Sequence, residues 1–220
     1  PGQKWPGVRV AGICEERMTG IDYRSYSVED LLAALETAGR APDLDLIHAF
    51  LERREELTPG LLRMLAGGID ESWPEGDPRY CREIHAGLLL IAFREPAALP
   101  IFEEILFDEE RQDLLEWYHS ELPAYGPALI PIVVRVLQDR AAPYYARIIG
   151  PSLLLAIALQ HPEERERILD ILRAQLPPLA EDGSVPPEAR QDPDEGWVFV
   201  ASALGDLRDT ASRRQVEALF

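Results

Sequence analysis

The side chains able to do chemistry in this 220-residue chain are scattered. Its histidines are His48, His85, His119 and His161, and no two stand at the i, i+4 spacing that lets imidazoles on one helix face share a zinc ion. The two cysteines, Cys14 and Cys81, make neither a CxxC pair nor a disulfide framework. Carboxylates are abundant and often adjacent, as in Glu103-Glu104, Glu109-Glu110 and Glu163-Glu164. Two acids facing each other across a cleft could work as general acid and base. These pairs instead fall where first helical turns and solvated faces are expected, and Glu163 stands at ion-pair spacing from Arg167. Gly67-Gly68 lacks the Lys-Ser or Lys-Thr of a phosphate loop and reads as a helix stop, and no G-x-S-x-G elbow occurs. No catalytic, metal-ligating or cofactor-binding residue is assigned, and binding is expected ahead of catalysis.

Recognition chemistry is better represented. Trp, Tyr and Arg are the residue types that dominate protein interfaces. The candidates for partner contact are Trp73 in a polar loop, Trp117-Tyr118 at the end of a short helix, Tyr144 at the opening of another, and Arg82 and Arg147. Each arginine has two readings. It can be a ladder residue bonding acid or carbonyl groups of neighbouring units (Asp77, Asp108, Asp139), or an anion clamp. The ladder is favoured, because a buried guanidinium is normally paired. Trp73 and Tyr144 are the candidates expected to be exposed, whereas Tyr145 and Trp197 are expected to fill gaps. His85 lies on an apolar stripe and reads as a core histidine with one hydrogen bond satisfied.

Charge narrows the partner. With 22 Lys and Arg against 39 Asp and Glu the net charge is −17. Nucleic-acid affinity comes from cations that displace phosphate counterions, and anionic membranes attract basic segments in the same way. Neither partner suits this surface, whereas a basic or amphipathic protein segment does. No stretch approaches the roughly 18 continuous apolar residues of a membrane span, and the start carries no basic-then-apolar signal pattern. The cytoplasm is the expected compartment.

The elements that must position these side chains are helical. Residues 1–26 are punctuated by Pro1, Gly2, Pro6, Gly7, Gly12 and Gly20 and read as a tail, with a short extended piece at Val8–Ile13. Ser27 before Glu29 and Asp30 is an N-cap, Leu31, Leu32 and Leu35 form an apolar face, and Gly39 ends the helix. A second helix is bracketed by Leu44 and Glu55. Thr58-Pro59 is expected to open a third, which Gly67-Gly68 stops. Cys81, Ile84, His85, Leu88, Leu89 and Ala92 then form a stripe at helical spacing. An internal repeat follows: the segment from Pro96 to Asp108 can be laid on the segment from Pro127 to Asp139 with six identities. Weaker copies open at Pro59 and Pro162. Pro100 and Pro131 stand near the helix starts, where a missing N–H bends or delays the helix. The stretch 177–194, rich in Pro, Gly and acid, reads as an insertion before a last pair at Trp197–Leu207 and Ala211–Phe220.

This pattern, with Arg82 and Arg147 in first helices, Pro100 and Pro131 in second helices, and Asp108 and Asp139 after them, resembles HEAT-like repeats. The segment Arg53-Arg54-Glu55-Glu56-Leu57-Thr58-Pro59, with His85-Ala86, Phe93-Arg94-Glu95 and the Pro100 helix, resembles more closely a bacterial HEAT-like family, related to PBS-lyase-like repeats, of uncharacterised function. The departures are Ala142, where the Asp before the second Arg would stand, and His85 and Gly150, where a small Ala is usual. The resemblance implies an all-α fold, an alpha-alpha superhelix of about five helix pairs over residues 27–220. Some members carry a C-terminal zinc motif; no cysteine cluster matches it here, so no zinc is carried over. The leading expectation is a non-catalytic protein-interaction scaffold. A HEAT-like enzyme or chromophore binder of the bilin-lyase type is one alternative, and a homo-oligomeric assembly module is another.

Overall fold

Ser27 begins the first helix as its sequence demands: its hydroxyl accepts the Asp30 N–H at 3.1 Å and donates to the Asp30 carboxylate at 2.8 Å. The computed structural model of the chain describes residues 20–68, 72–74, 76–186 and 196–220. Among these are eleven α-helices linked by 3-10 turns and loops, with no strand, so the fold class is all-α. Val8–Ile13, Cys14 and residues 187–194 of the expected insertion lie outside the described residues. Residues 177–186 hold no helix; the Ala180 N–H donates to the Ser184 carbonyl at 2.8 Å and closes a turn. No helix among the described residues is long and apolar enough to cross a membrane. The chain divides into two compact units between Ile101 and Phe102.

The first unit contains α1 (Val28–Glu36), α2 (Leu44–Glu52), α3 (Arg54–Ala66) and α4 (Arg82–Phe93). Helix α4 packs chiefly on α3 and also meets α1, which in turn packs on α2 and α3. Leu31, Leu35, Phe50, Leu57, Leu61, Leu65 and Leu90 are wholly buried between them. The α2–α3 break falls at Arg53, with φ −115° and ψ 32°. Its guanidinium donates to the Tyr26 carbonyl at 2.6 Å. That tertiary bond sets the start of α3 ahead of the Thr58-Pro59 cap the sequence suggests. Pro59 lies inside the helix, and the Thr58 hydroxyl turns back to the Arg54 carbonyl at 2.9 Å. In α4 the expected stripe does not select the buried face. Glu83, Ala86, Gly87, Leu90, Ile91 and Phe93 are buried together with His85 and Leu89, while Ile84 and Leu88 are half-buried and Ala92 is exposed. A helix packed from two sides buries most of its circumference, so its apolar period marks no single face.

The second unit is arranged around a long helix. It holds most of α5 (Leu99–Phe107), then α6 (Gln112–Tyr118), α7 (Ile130–Gln138), α8 (Tyr144–Gln160), α9 (Arg165–Arg173), α10 (Trp197–Asp206) and α11 (Arg213–Glu217). Helix α8 contacts α6, α7, α9 and α10. Gly150 lets α7 come close, since a Cβ there would lie 2.9 Å from the Leu137 side chain. The Phe102 ring stands edge-on to Tyr118 and Tyr125, at 5.4 and 5.9 Å between centroids.

Three of the helices are entered through a Pro-led 3-10 turn. Pro96–Ala98 is a three-residue 3-10 turn that feeds the nine residues of α5. Pro127–Leu129 ends a 3-10 segment that feeds the nine residues of α7, and Pro162–Glu164 feeds the nine residues of α9. Pro100 and Pro131 are second residues of their α-helices, where no i−4 bond is due and the ring costs nothing. Asp108 and Asp139 close the first two copies in extended conformation. Asp108 Oδ1 accepts the Glu110 N–H at 3.0 Å and Asp139 Oδ1 accepts the Ala141 N–H at 2.8 Å. The weaker copy proposed at Pro59 has no such turn.

Candidate functional site

Trp73, Arg79 and Arg82 make the densest polar–aromatic cluster of the first unit. Arg82 opens α4, where Nη1 reaches Glu36 Oε1 at the end of α1 at 2.7 Å. Nη2 donates to the Gly68 carbonyl, just beyond α3, at 2.7 Å. The Arg82 guanidinium carbon sits 4.5 Å from the centre of the Trp73 ring, and that of Arg79 4.6 Å from it. Arg79 is held as a fork by both oxygens of Asp77, at 2.9 and 2.8 Å. Those bonds, with the Arg79 N–H, hold the Asp77 carboxyl down to about 2. Tyr80 completes the cluster, its hydroxyl donating to the Trp73 carbonyl at 2.8 Å and its ring meeting the indole edge-on. The arrangement ties the α3–α4 loop to three helices. Each cation has an anion and an aromatic face, so little of Trp73 or Arg82 is left to offer a ligand.

The acid that pairs Arg82 is not one of the three aspartates. Asp77, Asp108 and Asp139 each accept a main-chain N–H two residues on, the local bond that short acids form at turns. Arg82 takes Glu36 instead, and Arg147 Nε donates to the Ala142 carbonyl at 3.1 Å. His85 is 8% exposed, and its Nε2 lies 2.6 Å from the Gly39 carbonyl. Burial pushes its imidazole below the ordinary range, partly countered by that bond. Nearby, burial raises the Cys81 thiol.

The second unit presents the other candidates differently. Trp117 is 42% exposed and Tyr144 49% exposed. Tyr118, adjacent to Trp117, is wholly buried against Phe102: one step along α6 turns the side chain by about 100°, enough to carry it from the exposed edge into the core with Leu114 and Leu115. It offers a partner no surface. Helices α6 and α8 are joined by Gln112, a residue that no motif or spacing marks. Its amide nitrogen donates to the Ile105 and Asp108 carbonyls at 3.2 and 2.7 Å. Its carbonyl accepts the Ala146 N–H at 3.1 Å, supplying the cap that Pro143 cannot give α8. One turn along α6, Glu116 lies close enough to the Tyr145 phenol for its charge to join burial in raising that group. Trp117, Glu116 and Asp113 are exposed on α6, and Tyr144 opens the adjoining α8.

Two surface grooves add no reactive constellation. One, of about 710 Å³, runs between α7 and α9 past Val134, Gln138, Arg167, Asp170 and Ile171. Its charges are already engaged, Arg167 with Glu164 and Asp170 with Arg173. The other, of about 430 Å³, lies between α3 and the turn at Glu95. Among the described residues no three His, Cys, Asp or Glu side chains come together as a metal site. Comparison of the chain with family models, with curated proteins and with solved structures finds no match in any of the three.

Proposed function

We propose that this chain is a non-catalytic helical scaffold that binds a basic or amphipathic segment of a partner protein. The observation that carries the reading is the exposure of Trp117 on α6, where Asp113 and Glu116 are also exposed, together with that of Tyr144 at the start of the adjoining α8. Large aromatic rings left in water at this level, among acids, are the surface chemistry of an interface rather than of a core. A net charge of −17 steers a cationic partner towards it. The scaffold itself is read as a HEAT-like stack of helix pairs. Support comes from the turn-plus-nine-residue block that recurs at Pro96, Pro127 and Pro162. The proposal sets it in the cytoplasm, where Cys81 is a free thiol.

Affinity capture of the tagged chain from a cell lysate, at low and at moderate salt, tests this. A protein enriched at low salt and released as salt rises is the expected result. Enrichment indifferent to salt would remove the electrostatic part. A chromophore or other small molecule recovered in place of any protein would replace the scaffold with a ligand-binding groove.

A further inference from the structure

Trp73 shows what an indole among acids does in this molecule when cations are at hand. Both guanidiniums over it also hold a carboxylate, Arg82 with Glu36 and Arg79 with Asp77. The surface at Trp117 has the ring and the acids without the cations. Among the described residues no arginine is placed over Trp117 or Tyr144. Arg147, one turn beyond Tyr144, is turned back on the Ala142 carbonyl. The stretch from Asp108 to Glu121 contains six acids and a single base, Arg111. Of those acids, Glu109, Glu110, Asp113 and Glu116 are exposed.

We propose that the α6–α8 face, with Trp117 and Tyr144 as stacking platforms and Asp113 and Glu116 as anions, docks a lysine- or arginine-bearing amphipathic segment of a partner protein. This rests on the scaffold reading and names its site and the chemistry of its ligand. The cation of the segment completes the ring-plus-carboxylate arrangement that Arg79 and Arg82 complete around Trp73. Its apolar residues cover the remaining ring surface. A second copy of the chain is the weaker occupant, since a two-fold contact would bring the same acids against themselves. Nucleic acid and anionic lipid are repelled for the same reason.

The test is fluorescence anisotropy with the full chain and a labelled amphipathic peptide of lysine and leucine, beside its glutamate-for-lysine counterpart. Binding of the lysine peptide alone is expected. Two double variants, Trp117→Ala with Tyr144→Ala and Asp113→Lys with Glu116→Lys, should each weaken it about tenfold. The same charge reversal at Glu104 and Glu181, exposed elsewhere, should weaken it no more than about twofold. Thermal melts matching the parent keep unfolding from mimicking the loss. Equal weakening by all the reversals would mean a diffuse acidic field and would overturn the site. So would lysine-peptide binding untouched by any variant, or no binding of it to the parent chain. Light scattering that shows a dimer lost in Trp117→Ala would hand the face to a second copy. A parent and a Trp117→Ala/Tyr144→Ala variant that capture the same protein from lysate would leave the scaffold standing and remove this face from it.

Discussion

Trp73 and Trp117 stand in similar chemical company and end in opposite states. Each has carboxylates within a few residues, Asp77 near the first and Asp113 and Glu116 near the second. Around Trp73 two arginines supply the counter-charge from inside the chain, and the cluster is complete. Around Trp117 the ring remains 42% exposed and the acids face solvent. The difference teaches that residue type does not separate a structural tryptophan from an interface tryptophan. What separates them is whether the fold provides the partner. Only the second kind leaves interaction energy for another molecule.

The comparison breaks most directly at Arg82. Arg82→Ala removes an ion pair to Glu36, a bond to the Gly68 carbonyl and a cation over Trp73. It also leaves Glu36 and that carbonyl without the bonds they have. Because the pair is only partly shielded, we expect a loss of about 2 kcal/mol in urea unfolding rather than the larger cost of a deeply buried pair. Trp73→Ala should cost a similar amount, as both cations lose their platform. A change near zero for either would mean that the α3–α4 loop is not held by this cluster. Trp117→Ala is the counterpart, with an expected loss of about 1 kcal/mol at most. If Trp117→Ala proves as destabilising as Trp73→Ala, the contrast between a closed and an open site collapses.

Gly126 offers an intermediate effect inside the second unit. Its backbone stands at φ 58° and ψ −137°, a region nearly reserved for glycine, and an added Cβ would lie 2.6 Å from His161 Nε2. Gly126→Ala should therefore cost about 1–2 kcal/mol from backbone strain alone. Unfolding monitored together with anisotropy of the lysine peptide would show whether the loss spreads to the α6–α8 face. A variant that melts earlier yet binds equally would confine the effect to the 3-10 segment before α7.

Much of the architecture was legible because it rests on local signals. The Ser27 cap, the Gly67-Gly68 stop and the paired Pro-to-Asp segments act through bonds a few residues long, and the sequence displays them. What escaped reading is tertiary. The start of α3 is decided by Arg53 reaching Tyr26, twenty-seven positions away in sequence. The α8 cap comes from Gln112, a residue that in isolation reads as solvated. Arg82 bonds an acid and a carbonyl and Arg147 a carbonyl, as ladder residues would, but the acid is not one of the three aspartates. Aspartate at a turn is consumed by its own backbone, so the acid that meets Arg82 is Glu36, near the end of a different helix. Of the candidate contact residues, type alone singled out six. Only exposure, a property of packing, separates Trp117 and Tyr144 from the buried Tyr118.

The smallest expected effect, and one confined to the first unit, comes from His85. Its imidazole is held below the ordinary value of 6.5 by burial, despite the Gly39 carbonyl bond. In the unfolded chain it returns to about 6.5. Above that pH both states are neutral and the contribution to stability is complete. As the pH falls through 6.5 the unfolded state takes the proton first, so stability declines from there down to the folded-state value. Cys81, one turn earlier, stays protonated throughout this window. Asp77 acts in a separate window, between its ordinary 3.8 and about 2, where protonation loosens its hold on Arg79. His85→Gln preserves a donor for Gly39 and removes the titration. It should flatten the decline in urea midpoint between pH 6.5 and 5 while leaving the steeper loss near pH 3 in place. An unchanged decline in that variant would assign the upper window to other groups. It would also reduce His85 to a packing residue whose protonation state the fold does not control.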